Sequence, residues 1–584
     1  MAPRTRRSVL SLATLASAAL AGCNGRIGGF PPTDDDEDEV DDWQYEPGDL
    51  GDGDGGGNPS GSGTQVEYAA SASGDGGGDS VGLAAGGAKD ANTFRRNIRN
   101  EFLPTPSSLS YEGLFYDYYF DTGDPGDCTD LFCPTYSPAV TADPLSGETE
   151  RYLSVGLNSG LAESDFERKR LNLVVVLDIS GSMTSSFDDY YYDQYGNKQT
   201  VEESGADSKL SVAKDALVSL TEQLEPGDRF GVILYNSASA VAKPLNPVAE
   251  TDMDAIRTHI QEDIEATGGT NLSAGLDDAT DLLGEYESAD QTTYENRMIV
   301  LTDAMPNTGD TSEGGLQGRL ETAAEGNVHS TFVGVGVDFN TEIVDEITSV
   351  HGANYYSVHS PDQFEQRLVD GFEYMVTPLV FDLSLELDAK GYEIEQVYGS
   401  SAAEESTGEI MRVNTLFASP TSEGRTKGGV VLAKVTDAAG GGGELTLRAS
   451  WEDRTGTSNE SELSVTFPEG GPEQFANTGV RKAVALSRYA DLLQNWMVDE
   501  RERDGDPETD GIDVPDDDLG KWEHRSDPLT VSRAYRERFE TFADYLQSEM
   551  AAVEDDALQQ ELDVLETLVA YENETQRAPL ASPW

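Results

Sequence analysis

The stretch LNLVVVLDISGS at residues 171–182 decides how the central part of this chain folds. Its first seven residues are apolar apart from Asn172, as in a strand that is buried on both faces of a parallel sheet. Asp178, Ser180 and Ser182 follow at once, so three oxygen-bearing side chains come to the carboxyl end of that strand. Hard divalent cations such as Mg²⁺ prefer oxygen ligands. The stretch therefore predicts a candidate cation site at one edge of a sheet.

Further apolar runs predict that this sheet continues along the chain. They lie at 229–235, 297–302 and 331–337, and amphipathic stretches between them predict helices. Strands alternating with helices favour a doubly wound, mostly parallel α/β domain over residues 171–375. Ligands of such sheets bind beyond the carboxyl ends of the strands, which is where Asp178 falls.

The hydrophobic period changes after the α/β segment. From residue 377 apolar residues alternate with polar ones, which predicts an antiparallel β-sandwich region over 377–470. Helical spacing returns over 474–572 and predicts a helical C-terminal region. We assign residues 92–165 to a small N-terminal segment that precedes the α/β domain.

The first 91 residues predict an export signal followed by a linker. Basic residues and a short apolar stretch predict a signal peptide over residues 1–23. TRRSVL at 5–10 resembles a twin-arginine signal, and LAGC at 20–23 resembles a lipobox whose Cys23 takes a lipid. Residues 24–91 are rich in Asp, Gly and Ser, a composition that predicts a disordered acidic linker. Because no later run of about 18 apolar residues occurs, the lipid is the only membrane attachment we expect.

Composition restricts the class of partner. The formal net charge is −70, from 39 Lys and Arg against 109 Asp and Glu. Nucleic acid is excluded as an expected partner, since phosphate binding needs a basic surface. Acidity spread along the whole chain favours adaptation to molar salt, as in a haloarchaeon, where repulsion is screened over about 3 Å. An ordinary acidic, calcium-rich surface protein is the alternative.

Two cysteines remain once Cys23 is assigned to the lipid. Cys128 and Cys133 stand five residues apart, and an even pair outside the cell favours a disulfide. A two-ligand metal site is the poorer alternative, because no histidine is near them in the sequence.

Two more segments point to the sheet edge that carries Asp178. GGTN at 268–271 precedes the helix predicted over 274–283, and Asp303 ends the strand that includes 297–302. A hydroxyl from Thr270 and a second carboxylate thus arrive at that edge. Together with the DISGS sequence, these residues in this order resemble the metal-ion-dependent adhesion site of von Willebrand factor type A domains.

The resemblance implies the ligands of the site. Ser180, Ser182 and Thr270 would hold Mg²⁺ directly, with Mn²⁺ or Ca²⁺ as alternatives, while Asp178 and Asp303 act directly or through water. Neutral hydroxyls leave the cation only partly compensated, so it attracts an acidic side chain of a protein partner into an open position. Ala304 departs from the family pattern, which often has glycine there.

A second departure is the insertion at 184–208. It carries Tyr190, Tyr191, Tyr192 and Tyr195 shortly after the cation loop. Tyrosine supplies a large contact area at a low entropy cost, which makes these four residues candidate partner contacts. A disordered acidic insertion is the alternative.

The order of the segments resembles bacterial and archaeal surface lipoproteins often labelled chloride-channel-like type A proteins. That resemblance implies an exported protein on the outer face of the cytoplasmic membrane, which binds a protein partner through the cation. An assembly or scaffolding factor for an envelope complex is the alternative function. An enzyme is not expected, since the serines lack a nearby histidine base in the sequence and His351 and His359 are assigned structural roles.

Overall fold

The fold is described by a computed structural model over most of the chain, with gaps. It describes residues 39–50, 80–85, 91–99, 101–104, 106–162, 165–185, 190–192, 198–200, 208–303, 313–335, 347–358, 364, 368–369, 371–389, 391–399, 409–437, 445–453, 456–468, 471–504 and 527–571. Residues 1–23, which include Cys23, lie outside these ranges.

Strands and short helices precede the α/β domain. They are β1 (Ser80–Ala85), α1 (Asn92–Arg99), β2 (Phe102–Leu103), a 3₁₀ turn (Pro106–Ser108), α2 (Tyr111–Tyr116), β3 (Tyr119–Phe120), β4 (Thr135–Ala142), β5 (Thr149–Gly156) and β6 (Asn158–Ala162).

The α/β domain comes next. Its elements are β7 (Arg170–Asp178), a 3₁₀ turn (Gly181–Thr184), β8 (Tyr190–Tyr192), β9 (Lys198–Thr200), α3 (Lys209–Thr221), β10 (Arg229–Tyr235), β11 (Ser239–Pro247), a 3₁₀ turn (Val248–Glu250), α4 (Met253–Glu262), α5 (Leu272–Gly284), β12 (Tyr294–Thr302), α6 (Glu313–Glu325), β13 (Val328–Val335), β14 (Asn354–Val358) and α7 (Phe372–Met375).

The remaining elements are mostly strands followed by long helices. They are β15 (Pro378–Ala389), β16 (Tyr392–Tyr398), β17 (Glu409–Ser419), β18 (Thr421–Ser422), β19 (Arg425–Lys427), β20 (Val430–Asp437), β21 (Leu445–Glu452), β22 (Ser458–Val465), β23 (Gln474–Phe475), α8 (Thr478–Asp504), β24 (Asp527–Pro528), α9 (Arg533–Val553), a 3₁₀ turn (Asp556–Leu558) and α10 (Gln559–Ala570).

The α/β domain is a six-stranded sheet with helices on both faces, in the order β11-β10-β7-β12-β13-β14. Only the β10–β11 pair of this sheet is antiparallel. Leu173, Val175 and Leu177 pack into one core with α3 and α4, whereas Val174 and Val176 pack into a second core with α5 and α6. Successive strand residues point to opposite faces, so a continuous apolar run serves both cores. The doubly wound, mostly parallel fold is confirmed.

The antiparallel sandwich contains strands that precede the α/β domain in the sequence and strands that follow it. One sheet has the order β22-β21-β15-β17-β1-β6, and the other has β16-β20-β5-β4-β23. Val81 of β1, Leu153 of β5 and Leu385 of β15 share its core. The β-sandwich region predicted at 377–470 is therefore present, but it also takes in β1 and three strands of the segment predicted at 92–165, β4, β5 and β6. Alternating patterns show which strands exist, but not which distant strands pair with them.

The C-terminal helices also join an N-terminal partner. Phe94 and Ile98 of α1 lie in one core with residues of α8, α9 and α10. Arg95 Nε donates to Glu561 Oε1 at 3.0 Å, and both side chains are almost fully buried. Among the described helices, none combines the length and apolar content that a membrane crossing requires.

Part of the predicted linker is folded onto the α/β domain. We call residues 39–50 the N-terminal strap. Val40 forms a parallel bridge with Thr251, and Asp42 Oδ2 lies 3.0 Å from the buried Lys243 Nζ of β11. Tyr45 is only 4% exposed and belongs to a core of the domain. The linker prediction is thus wrong for the strap and for β1, because a few apolar residues within the acidic sequence find buried positions.

Candidate metal centre

The first predicted ligands lie where β7 ends. Asp178, the last residue of β7, is fully buried in the middle of the sheet edge. The backbone N–H of Ser180 donates to Asp178 Oδ1 at 2.8 Å, which turns the chain sharply into the 3₁₀ turn that carries Ser182. Ser180 is buried, whereas Ser182 is exposed. The floor of the site, formed by Asp178 and Ser180, is therefore shielded from solvent, whereas the side that carries Ser182 faces solvent.

A chain of oxygen atoms connects the two strand ends. Ser180 Oγ lies 2.9 Å from Ser182 Oγ, and Ser182 Oγ donates to Asp303 Oδ1 at 2.7 Å. Asp303 follows β12, which is the parallel neighbour of β7 in the sheet. The structure thus brings together side chains that are 121 positions apart in sequence.

Asp178 is held by two hydroxyl groups that the sequence analysis did not assign. Tyr235 and Thr302 both donate to Asp178 Oδ2, at 3.1 and 2.7 Å. These bonds fix the carboxylate in the floor of the site. Burial, followed by the charge of Asp303, raises the pKa of Asp178 to about 6. The carboxylates of Asp178 and Asp303 repel each other because water does not screen them there. The site therefore attracts positive charge.

A lysine supplies some of that charge. Lys209 Nζ lies 3.0 Å from Asp303 Oδ2, with side chains that are 4% and 0% exposed. Lys209 is the first residue of α3, after the insertion. Lys209 carries no signal of this role in the sequence, because the insertion separates it from the DISGS segment.

Thr270 lies on the loop before α5, which packs against the 3₁₀ turn that carries Ser182. It is buried, and its loop contacts the β7 end where Gly181 N–H donates to Gly268 O at 3.0 Å. Gly268 has a φ of +78°, and a Cβ there would lie 3.1 Å from Asn236 Nδ2. Glycine is thus required both for the left-handed backbone and for space. All five predicted ligands belong to segments that meet at this edge.

The donor set suits a hard divalent cation. All five side chains offer oxygen, which Mg²⁺, Mn²⁺ and Ca²⁺ prefer. Adjacent ligands of an octahedral Mg²⁺ at 2.0–2.1 Å are separated by about 3 Å. The Ser180–Ser182 and Ser182–Asp303 oxygen distances, 2.9 and 2.7 Å, are close to that separation. The residues present therefore fit the cation that the sequence analysis expects.

Other predicted site residues lie elsewhere or outside the described chain. Tyr190, Tyr191 and Tyr192 form β8, which pairs with β9 in a small hairpin. Tyr195 and Ala304 lie outside the described residues. Cys128 and Cys133 form a disulfide with a Cα–Cα distance of 6.1 Å, in a loop that contacts β6 where Gly160 N–H donates to Asp130 O.

Comparison with known proteins places the α/β domain in a family. The family model described as von Willebrand factor type A domain matches residues 172–369. The chain contains a von Willebrand factor type A domain. It is 24% identical over 231 residues to human inter-alpha-trypsin inhibitor heavy chain H4 and 25% identical over 246 residues to the bovine protein. These matches cover 38% and 41% of this chain, but only 22% and 23% of those relatives.

The match to one solved structure covers more of the chain. The structure titled von Willebrand factor type A from Catenulispora acidiphila covers 79% of this chain and 100% of its own. It is 15% identical in sequence, with a TM-score of 0.44.

Proposed function

We propose that this is an exported, lipid-anchored binding protein whose type A domain holds Mg²⁺ and, through it, an acidic side chain of a protein partner. The observation that carries the proposal is the Ser180–Ser182–Asp303 chain of oxygen atoms at the edge of the sheet. A bound cation would supply a Lewis acid for the carboxylate of the partner.

Each residue of the site has a distinct task in this proposal. Ser180, Ser182 and Thr270 supply neutral oxygens, so the charge of the cation is not cancelled. Asp303 contributes charge at the cation, while Asp178, whose Oδ2 already accepts two hydroxyl bonds, orients the floor and acts on the cation through Oδ1 or water. The exposed Ser182 marks the side from which a partner approaches.

The histidines that the structure describes contact groups other than the serines of the site. His259 contacts Asp41 and Asp263, His329 contacts Glu295, and His351 stacks on Phe381. Ser180 and Ser182 bond each other and a carboxylate, which is a ligand arrangement and not that of a nucleophile beside its base.

Export and anchoring rest on the N-terminal sequence. The twin-arginine and lipobox resemblances, with Cys23 as the lipidated residue, support a protein on the outer face of the cytoplasmic membrane. The likeness to chloride-channel-like surface lipoproteins and the acidity typical of a haloarchaeon support the same setting.

Calorimetric titration with Mg²⁺ tests the metal site. We expect Ser182→Ala to weaken Mg²⁺ binding by at least about tenfold, because a ligand is lost. Thr184→Ala is the matched control: its hydroxyl bonds Gly181 O in the same turn but is not in the chain of oxygens. Equal Mg²⁺ binding by Ser182→Ala and the wild type, or none by the wild type, would contradict the proposal.

Crosslinking on intact cells tests the partner. A chelator and the Ser182→Ala change should each remove the crosslinked protein if the cation bridges the two. Recovery of one stoichiometric envelope complex that persists without the cation would instead favour the assembly or scaffolding function.

A further inference from the structure

Lys209 is a buried cation inside the proposed metal centre. Its ammonium lies 3.0 Å from Asp303 Oδ2, while Asp303 Oδ1 accepts the hydroxyl of Ser182. One carboxylate thus serves the lysine with one oxygen and the chain of proposed ligands with the other.

The position is an unfavourable one for a positive charge. Lys209 opens α3, and the amino end of a helix carries a partial positive charge of its own. The helix does not need lysine for capping, because Ser208 Oγ accepts from the N–H of Ser211. Burying an ammonium without a counter-charge is costly, and Asp303 is a carboxylate in direct contact with it. The lysine therefore shares this carboxylate with the proposed cation.

We propose that Lys209 is a built-in counter-cation that lowers the affinity of the site for divalent metal, and so ties metal loading to a high outside concentration of the ion. The inference rests on the proposed function, since it needs a metal at this site.

The positive charge of Lys209 acts differently in the empty site and in the loaded site. In the absence of metal, the ammonium offsets one of the two carboxylates and keeps Asp303 in place. In the presence of Mg²⁺, the same ammonium repels the cation over a short, poorly screened distance. The ammonium then adds to the positive charge that the bound cation presents, which favours the acidic group of a partner.

Replacing the charge while keeping the shape tests the role. Lys209→Met removes the ammonium and retains an unbranched side chain, whereas Lys209→Arg keeps the charge. We expect Lys209→Met to bind Mg²⁺ at least about tenfold more tightly in calorimetry, the effect of removing a nearby like charge. Lys209→Arg should bind no more tightly than the wild type.

A matched control is available within the same domain. Lys243 is also fully buried and lies 3.0 Å from a carboxylate, Asp42, and it bonds the carbonyls of Phe230 and Pro244. Lys243→Met should lower the melting temperature but leave the Mg²⁺ affinity unchanged. Mg²⁺ should raise the melting temperature of Lys209→Met by more than that of the wild type.

The outcomes separate the two proposals. If the wild type and Lys209→Met bind Mg²⁺ equally, or if Lys209→Met binds it less tightly, the lysine is merely structural and the inference is overturned. Tighter binding by Lys209→Arg would overturn it even where Lys209→Met does not fold. If none of the folded proteins binds Mg²⁺, the proposed function fails together with the inference.

Discussion

At the scale of single residues, Asp491 shows how packing changes the chemistry of a carboxyl group. It lies on α8, where Tyr111 donates to its Oδ1 at 2.7 Å and Tyr398 donates to its Oδ2 at 3.0 Å. Loss of hydration raises its pKa to about 6, although these two hydroxyl bonds and the charge of Lys434 act in the opposite direction.

Asp491→Asn should reveal this raised pKa as a pH dependence of stability. Between about pH 4 and pH 6 the unfolded chain ionises Asp491 while the folded chain keeps it protonated, so the wild type loses stability as pH rises. We expect the wild type to lose roughly 2–3 kcal/mol relative to Asp491→Asn across that range, measured by denaturant unfolding. A difference that stays constant from pH 4 to pH 7 would contradict the assignment.

The positions of the proposed ligands at one edge of the sheet were predictable because each follows an apolar strand or precedes a helix. The groups that support them were not, because their roles depend on strand register. Tyr235 pairs with Asp178 across β10 and β7, and Leu301 pairs with Leu177, which places Thr302 beside Asp178. Without a known register, a strand-end tyrosine or threonine carries no signal in the sequence.

At the scale of elements, the N-terminal strap is the clearest difference from the sequence prediction. Trp43 stacks on His259 with ring centroids 5.5 Å apart, and Asn236 Nδ2 donates to the carbonyl of Leu50 at 2.7 Å. Asn236 O also accepts from the N–H of Asn271, beside Thr270. The strap thus reaches the rim of the candidate site. Its apolar residues are too few to change the average composition of an acidic segment.

Tyr45→Ala should destabilise the α/β domain, since it leaves a cavity where a buried ring packed. We expect a loss of about 3–4 kcal/mol in the free energy of unfolding, measured by denaturation. Val40→Ala is the control, because Val40 lies on the same strap but is 57% exposed, and it should cost under about 0.5 kcal/mol. Equal effects of the two changes would show that the strap is not part of the core.

At the scale of the whole molecule, the net charge of −70 opposes compactness. Screening extends over about 8 Å at 0.15 M salt and about 3 Å at 1 M. We therefore expect the melting temperature to rise by several degrees between these concentrations, with KCl and NaCl acting alike. A melting temperature that does not change with salt would contradict adaptation to a saline medium.

The interleaved sandwich has a consequence for biosynthesis. Gly82 of β1 pairs with Ser419 of β17. During synthesis β1 therefore lacks this partner until β17, more than 300 residues later in the chain, has been translated. At ribosomal rates of 5–20 residues per second, that wait lasts from about 17 to about 67 s. During translation the early strands expose edges that invite association with other nascent chains. The cell must therefore keep each unfinished chain apart from its neighbours until the final strands emerge.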